Sequence, residues 1–175
     1  MNLRVAKIVH DSVTDGPGLR AAVFFQGCPH RCAGCHNPEL LTTEGGTEMT
    51  TEELLAEITE NPLHTGVTFT GGEPMEQAEA LLPAAKRLKE SGYDLWIYTG
   101  CLWEELDGAK RELAEMADVV KDGPYIAEQK SLMLPWRGSA NQRLIDVNKS
   151  LAAGEIMLYA VEKKENEYVQ NTKRG

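Results

Sequence analysis

Three of the four cysteines fall within eight residues, Cys28, Cys32 and Cys35, in a C-x3-C-x2-C spacing. The fourth, Cys101, stands alone. Thiolates are soft ligands, suited to zinc or to iron–sulfur clusters. Three of them on one compact loop can hold three irons of a 4Fe–4S cubane. The fourth iron is then open to an outside chelating ligand, much as an open catalytic metal site differs from a closed structural one. Structural zinc is the competing reading, with His30 or His36 completing a Cys3His set. Zinc sites usually pair two C-x2-C knuckles far apart in sequence, and this sequence has no second knuckle. The cysteines sit among Pro29, His30, Arg31 and Asn37, which speaks against three merely buried hydrophobes. Gly27 and Gly34 allow tight turns there.

A second group is Gly71-Gly72-Glu73-Pro74. A glycine pair permits close backbone approach to a ligand, although a hairpin turn uses the same dipeptide. The helical pattern after Pro74 argues against a hairpin. Thr99-Gly100 and Asp122 are further polar interruptions after apolar runs.

These groups need a frame. Strands are expected at 5–9, 19–26, 67–70, 94–99, 119–122, 144–147 and 156–161. Helices are expected at 50–60, 75–91 and 103–116. Thr50 and Glu53 have capping-box spacing, Pro83 is an awkward residue inside the second helix, and Gly108 interrupts the third. Strands alternating with helices predict an α/β fold with a parallel sheet. A closed eight-stranded barrel takes about 250 residues, so 175 residues predict a partial, open β/α barrel. Ligands of such sheets lie at the C-terminal strand ends. The cysteine loop, the Gly-Gly-Glu-Pro turn, Thr99-Gly100 and Asp122 would all meet there.

The cysteine spacing followed by Gly-Gly-Glu-Pro resembles the radical S-adenosylmethionine superfamily. Asp15-Gly16-Pro17-Gly18-Leu19-Arg20, just before the cysteines, is similar to a stretch of its glycyl-radical activases. Pro135-Trp136-Arg137-Gly138-Ser139-Ala140-Asn141-Gln142-Arg143 resembles the signature of one branch, the activating proteins of anaerobic ribonucleoside-triphosphate reductase. The resemblance spans roughly residues 5–147.

It implies a partial barrel of the radical S-adenosylmethionine type. It implies that Cys28, Cys32 and Cys35 ligate a 4Fe–4S cluster with one open iron, which binds the amino and carboxylate groups of S-adenosylmethionine. Gly34 and His36 would approach the adenine, and Gly71, Gly72 and Glu73 the methionine amino group. One-electron cleavage would give methionine and a 5′-deoxyadenosyl radical, which takes hydrogen from a glycine. The implied partners are the large subunit of anaerobic ribonucleoside-triphosphate reductase and a flavodoxin or ferredoxin electron donor. In some relatives the residue matching Asp122 helps bind a monovalent cation. Segment 15–20 is either a loop touching cluster or partner, or a turn into a strand. Arg137, Asn141 and Gln142 either position a ligand or line a surface loop. Two alternatives are a pyruvate formate-lyase-type activase and a zinc-stabilised, non-catalytic binding module.

Composition bounds the rest. The length suits a single domain, expected over 1–161 with a frayed polar tail at 162–175. The net charge of −9 disfavours a non-specific nucleic-acid or anionic-membrane binder. The longest apolar run, 21–25, is far below the ~20 residues of a membrane span. Residues 1–13 lack a continuous apolar stretch, so no secretory signal is expected and the reading is cytoplasmic. Four cysteines are too few for a second 4Fe–4S cluster.

Overall fold

Strand β2 (Arg20–Phe25) is apolar without alternation because the chain buries it on both faces. In the computed structural model, which describes residues 2–161, β2 belongs to a seven-stranded sheet. The tail expected at 162–175 lies outside the described residues. The other strands are β1 (Leu3–Ser12), β3 (Thr47–Met49), β4 (Gly66–Gly71), β5 (Asp94–Tyr98), β6 (Val119–Asp122) and β7 (Arg143–Asp146). Their order is β3-β1-β2-β4-β5-β6-β7. The four neighbours β2, β4, β5 and β6 run parallel. β1, β3 and β7 pair antiparallel at the flanks, and the sheet stays open.

Strand residues alternate between the two faces. One face, with Val23, Val67, Phe69, Leu95 and Ile97, packs under helices α1 (Thr51–Thr59), α2 (Ala78–Glu90) and α3 (Gly108–Met116). Leu54, Ile58, Leu81, Leu88 and Leu113 supply the helical side of that core. Thr50 and Glu53 form the expected capping box at the start of α1. The opposite face carries Thr68, Trp96, Tyr98, Val119, Lys121 and Leu144. There Trp96, Tyr98, Val119 and Leu144 make a second, smaller cluster, with Trp136 and Tyr159 packed on it. No helix among the described residues is long and apolar enough to cross a membrane.

Pro83 lies inside α2 without breaking it. Pro83 and Glu79, whose carbonyl loses its partner, are both exposed, so water can replace the missing hydrogen bond. Gly108 begins α3, and a 3-10 turn at Trp103–Glu105 precedes it.

The strand expected at 156–161 does not form. Leu158 makes one isolated bridge to Ile145, while Tyr159 turns onto Trp96 with ring centroids 5.2 Å apart. Asp146 N–H still donates to Met157 O at 2.9 Å and Tyr159 N–H to Leu144 O at 2.8 Å, so the pairing is confined to the one bridge at Leu158. Helix α4 (Val147–Ala153) takes Val147 from the strand expected at 144–147 and residues 148–153, which the apolar pattern left unassigned. Its signals are Asp146, which accepts the Lys149 N–H at 3.0 Å, and Gly154, left-handed at φ 71°. The polar edge strand β3 has no apolar periodicity and gave no signal.

Candidate active site at the strand ends

Four parallel strands deliver their following loops to one rim. A pocket there is lined by Cys28, Cys32, Cys35 and His36 from the loop after β2. Gly71 and Gly72 come from β4, Thr99 and Gly100 from β5, and Lys121 and Gly123 from β6. Tyr98, Tyr125 and Gln142 complete the wall that matters here.

The cysteine loop is coiled by left-handed residues: Gly27 at φ 92°, Arg31 at φ 48° and Gly34 at φ 71°. It is pinned behind by Gly27 and Cys28, whose N–H groups donate to Leu40 O at 3.0 Å and Leu41 O at 3.4 Å. Within it, Cys35 N–H bonds Cys32 O at 3.2 Å, and Asn37 N–H points at Cys35 Sγ at 3.4 Å. Burial, the largest influence, pushes the Cys28 thiol up, a cost that metal ligation would remove.

Glu73 is fully buried. Its carboxylate accepts the Met75 N–H at 3.0 Å, the Gly100 N–H at 2.8 Å and His30 Nε2 at 2.8 Å. It therefore ties the loops after β2, β4 and β5 together. Cys101 Sγ lies 3.7 Å from the same His30 nitrogen. Cys101 and Glu73 together push the His30 imidazole up to about 10. The sequence offered His30 only as a zinc ligand. Its place in this brace had no signal, because the contact joins positions 43 and 71 residues apart.

The Gly-Gly step is dictated by packing. A Cβ on Gly72 would lie 2.3 Å from Gly27 O, and one on Gly71 would lie 2.6 Å from the Phe24 Cα. Gly72→Ala should therefore cost about 1–3 kcal/mol through overpacking. Thermal denaturation should show a melting temperature ~2–10 °C lower. An unchanged melting temperature would mean that this backbone contact is not tight.

The segment 135–143 turns inward. Gln142 accepts the Gly138 N–H at 2.8 Å and donates to Gly123 O at 3.0 Å. Asn141 donates to Pro124 O at 2.8 Å. Arg143 pairs with Asp122 and with Glu104. These side chains fasten the end of β6, so the surface-loop reading fails for Gln142 and Asn141. Gly138 also abuts His36, whose ring lies 4.8 Å from that of Tyr125. Asp122 is fully buried and accepts the Trp103 N–H at 2.9 Å besides the Arg143 fork. Its carboxylate is thus occupied by three donors and acts as a brace.

Residues 17–20 sit at the opposite ends of the parallel strands, while Asp15 lies on the inner face, where its carbonyl accepts the Thr68 hydroxyl at 2.6 Å. Arg20 is fully buried. Its guanidinium donates to Thr68 Oγ1 at 2.8 Å, Pro17 O at 2.7 Å, Val67 O at 3.0 Å and Asp94 O at 3.2 Å, and it pairs with Asp94 Oδ2 at 3.0 Å. The segment is therefore a turn into β2 locked onto the sheet.

The donor set fits a cluster better than one ion. Among the described residues, the groups whose ligand atoms approach within 4.8 Å of one another are His30–Glu73–Cys101 and His10–Glu57–Glu60. The three loop cysteines are not such a group. They spread around a pocket instead of closing on a point.

A model of the 4Fe-4S single cluster domain matches residues 14–145. The anaerobic ribonucleoside-triphosphate reductase-activating protein of Vibrio cholerae serotype O1 is 36% identical over 138 residues, covering 74% of this chain and 89% of that protein. This chain belongs to that family of activating proteins. The Haemophilus influenzae member is 34% identical over the same shares of both chains. The pyruvate formate-lyase-activating enzyme of Clostridium pasteurianum is 45% identical over 101 residues, 55% of this chain and 42% of that enzyme. The crystal structure of QueE from Escherichia coli matches with a TM-score of 0.49 at 20% identity, over 70% of this chain and 71% of that one. Family membership and the spread of the cysteines both disfavour the zinc module.

Proposed function

We propose that this chain is a radical S-adenosylmethionine activase that installs a glycyl radical on the large subunit of anaerobic ribonucleoside-triphosphate reductase. What carries the reading is one pocket, at the ends of four parallel strands, that holds all three loop cysteines. Cys28, Cys32 and Cys35 would hold a 4Fe–4S cluster. When bound, it supplies the single electron for reductive cleavage of the sulfonium, giving a carbon radical able to abstract hydrogen from glycine.

The chain's own residues bind, orient and shield. His36 borders the nucleotide side of the pocket with Tyr125 behind it, and Gly34, next to the Cys35 ligand, would approach the adenine from beside Tyr125. Gly71 and Gly72 present bare backbone to the amino-acid end of the cofactor. Glu73 serves that end indirectly, by fixing the Gly-Gly turn against the cysteine loop. Trp96, Trp136 and Tyr159, with centroids 5.0–6.5 Å apart, pack together on the inner face beside Tyr98. The four free thiols suit a reducing cytoplasm, where a flavodoxin or ferredoxin would supply electrons.

Protein purified and reconstituted without oxygen should be brown, with about four irons and four sulfides per chain. With reductant it should convert S-adenosylmethionine to methionine and 5′-deoxyadenosine. Added reductase large subunit should then give a glycyl doublet in electron paramagnetic resonance. A colourless protein holding zinc would overturn the reading. A doublet on pyruvate formate-lyase alone would move it to the other class of activase.

A further inference from the structure

Lys121 and Tyr98 face each other across the β5–β6 ladder on the inner face of the sheet, and both line the cysteine pocket. The Lys121 Nζ lies 4.0 Å from the centroid of the Tyr98 ring. No carboxylate or hydrogen-bond acceptor contacts that ammonium among the described residues. The nearby acids are engaged elsewhere. Glu73 serves His30, Gly100 and Met75, and the Asp15 carboxylate accepts the Ser12 hydroxyl at 2.5 Å. Burial pushes the lysine down to about 8. Tyr98 is only 7% exposed, and its hydroxyl is buried without a hydrogen-bond partner.

A half-buried ammonium with no carboxylate beside it is poorly compensated, and a buried hydroxyl without an acceptor is costly. Here the two are neighbours beside Cys28, Cys32 and Cys35 in one pocket, and one anionic oxygen group would satisfy both. The ligand required by the proposed function carries no phosphate. Its one anionic group is the α-carboxylate of its methionine part.

We propose that Lys121, with the Tyr98 hydroxyl beside it, binds that α-carboxylate and so orients the sulfonium nucleotide in the pocket. The inference rests on the function proposed above. A double comparison tests it on the reconstituted protein, using calorimetric binding of S-adenosylmethionine and of its decarboxylated analogue. Contacts that the carboxylate makes elsewhere are common to parent and variant and cancel in the cycle. Lys121→Met should weaken S-adenosylmethionine about 10- to 100-fold while leaving the decarboxylated analogue within about twofold. Lys121→Arg should keep most of the preference for the carboxylate. If Lys121→Met holds less iron than the parent, Tyr98→Phe provides the same comparison by removing one oxygen. A variant that weakens both ligands equally, or neither, overturns the inference. Failure of the parent protein to bind either ligand would instead sink the proposed function.

Discussion

Single replacement of Cys28, Cys32 or Cys35 by Ala will abolish cleavage of S-adenosylmethionine. The iron bound per chain should fall from about four to below one. The reason is ligand count. The three sulfurs line one pocket, and among the described residues no spare cysteine can move in. Cys101 is not among the residues lining that pocket, and its sulfur lies 3.7 Å from His30 Nε2 in the cluster with Glu73. Cys101→Ser is therefore the control, expected to keep the parent's iron content. Colorimetric iron determination and chromatography of 5′-deoxyadenosine read both arms. Full cleavage by any of the three alanine variants would refute the ligand assignment, and iron loss in Cys101→Ser would give that sulfur a role it lacks here.

Arg20→Met should lower stability by ~3 kcal/mol. The methionine can fill the same volume, so the loss is polar. The carbonyls of Pro17, Val67 and Asp94 and the Thr68 hydroxyl lose a buried donor. The Asp94 side chain is 38% exposed, so water can rehydrate it, and its share of the loss is small. The melting temperature should fall ~6–12 °C. Arg20→Lys should recover only part of this, because one ammonium cannot reproduce a fork that bonds two strands and a loop at once. A fall of less than 2 °C in Arg20→Met, taken as roughly 1 kcal/mol or less, would show that the network is not a lock.

What the sequence displayed and what it hid divide along physical lines. The parallel core was legible because β2, β4, β5 and β6 are short apolar runs bounded by glycine or polar turns, and helices separate them. The cysteine loop and the Gly-Gly turn were legible because their chemistry depends on spacing along the chain. Pairings across the chain were not. Arg20 reaches residues 47–74 positions away, and Glu73 meets His30 over 43. Residues 135–143 could be seen as a motif, but their inward orientation could not. That orientation depends on hydrogen bonds to Gly123 and Pro124. The misplaced strand at 156–161 shows the limit of pattern alone: Ile156, Met157 and Leu158 are apolar enough for a strand, yet pairing with β7 is confined to one bridge at Leu158, a limit set by contacts across the chain.

The carboxylate of Glu73 joins three strand exits through a single side chain. Changes at His30, Glu73 and Gly100 will therefore not sum when combined, since each alters the surroundings of the other two. Once one member has been lost, losing a second should do little further harm. The rim is inherited as a single trait, and variation can reach it by coordinated replacement far more readily than by independent steps.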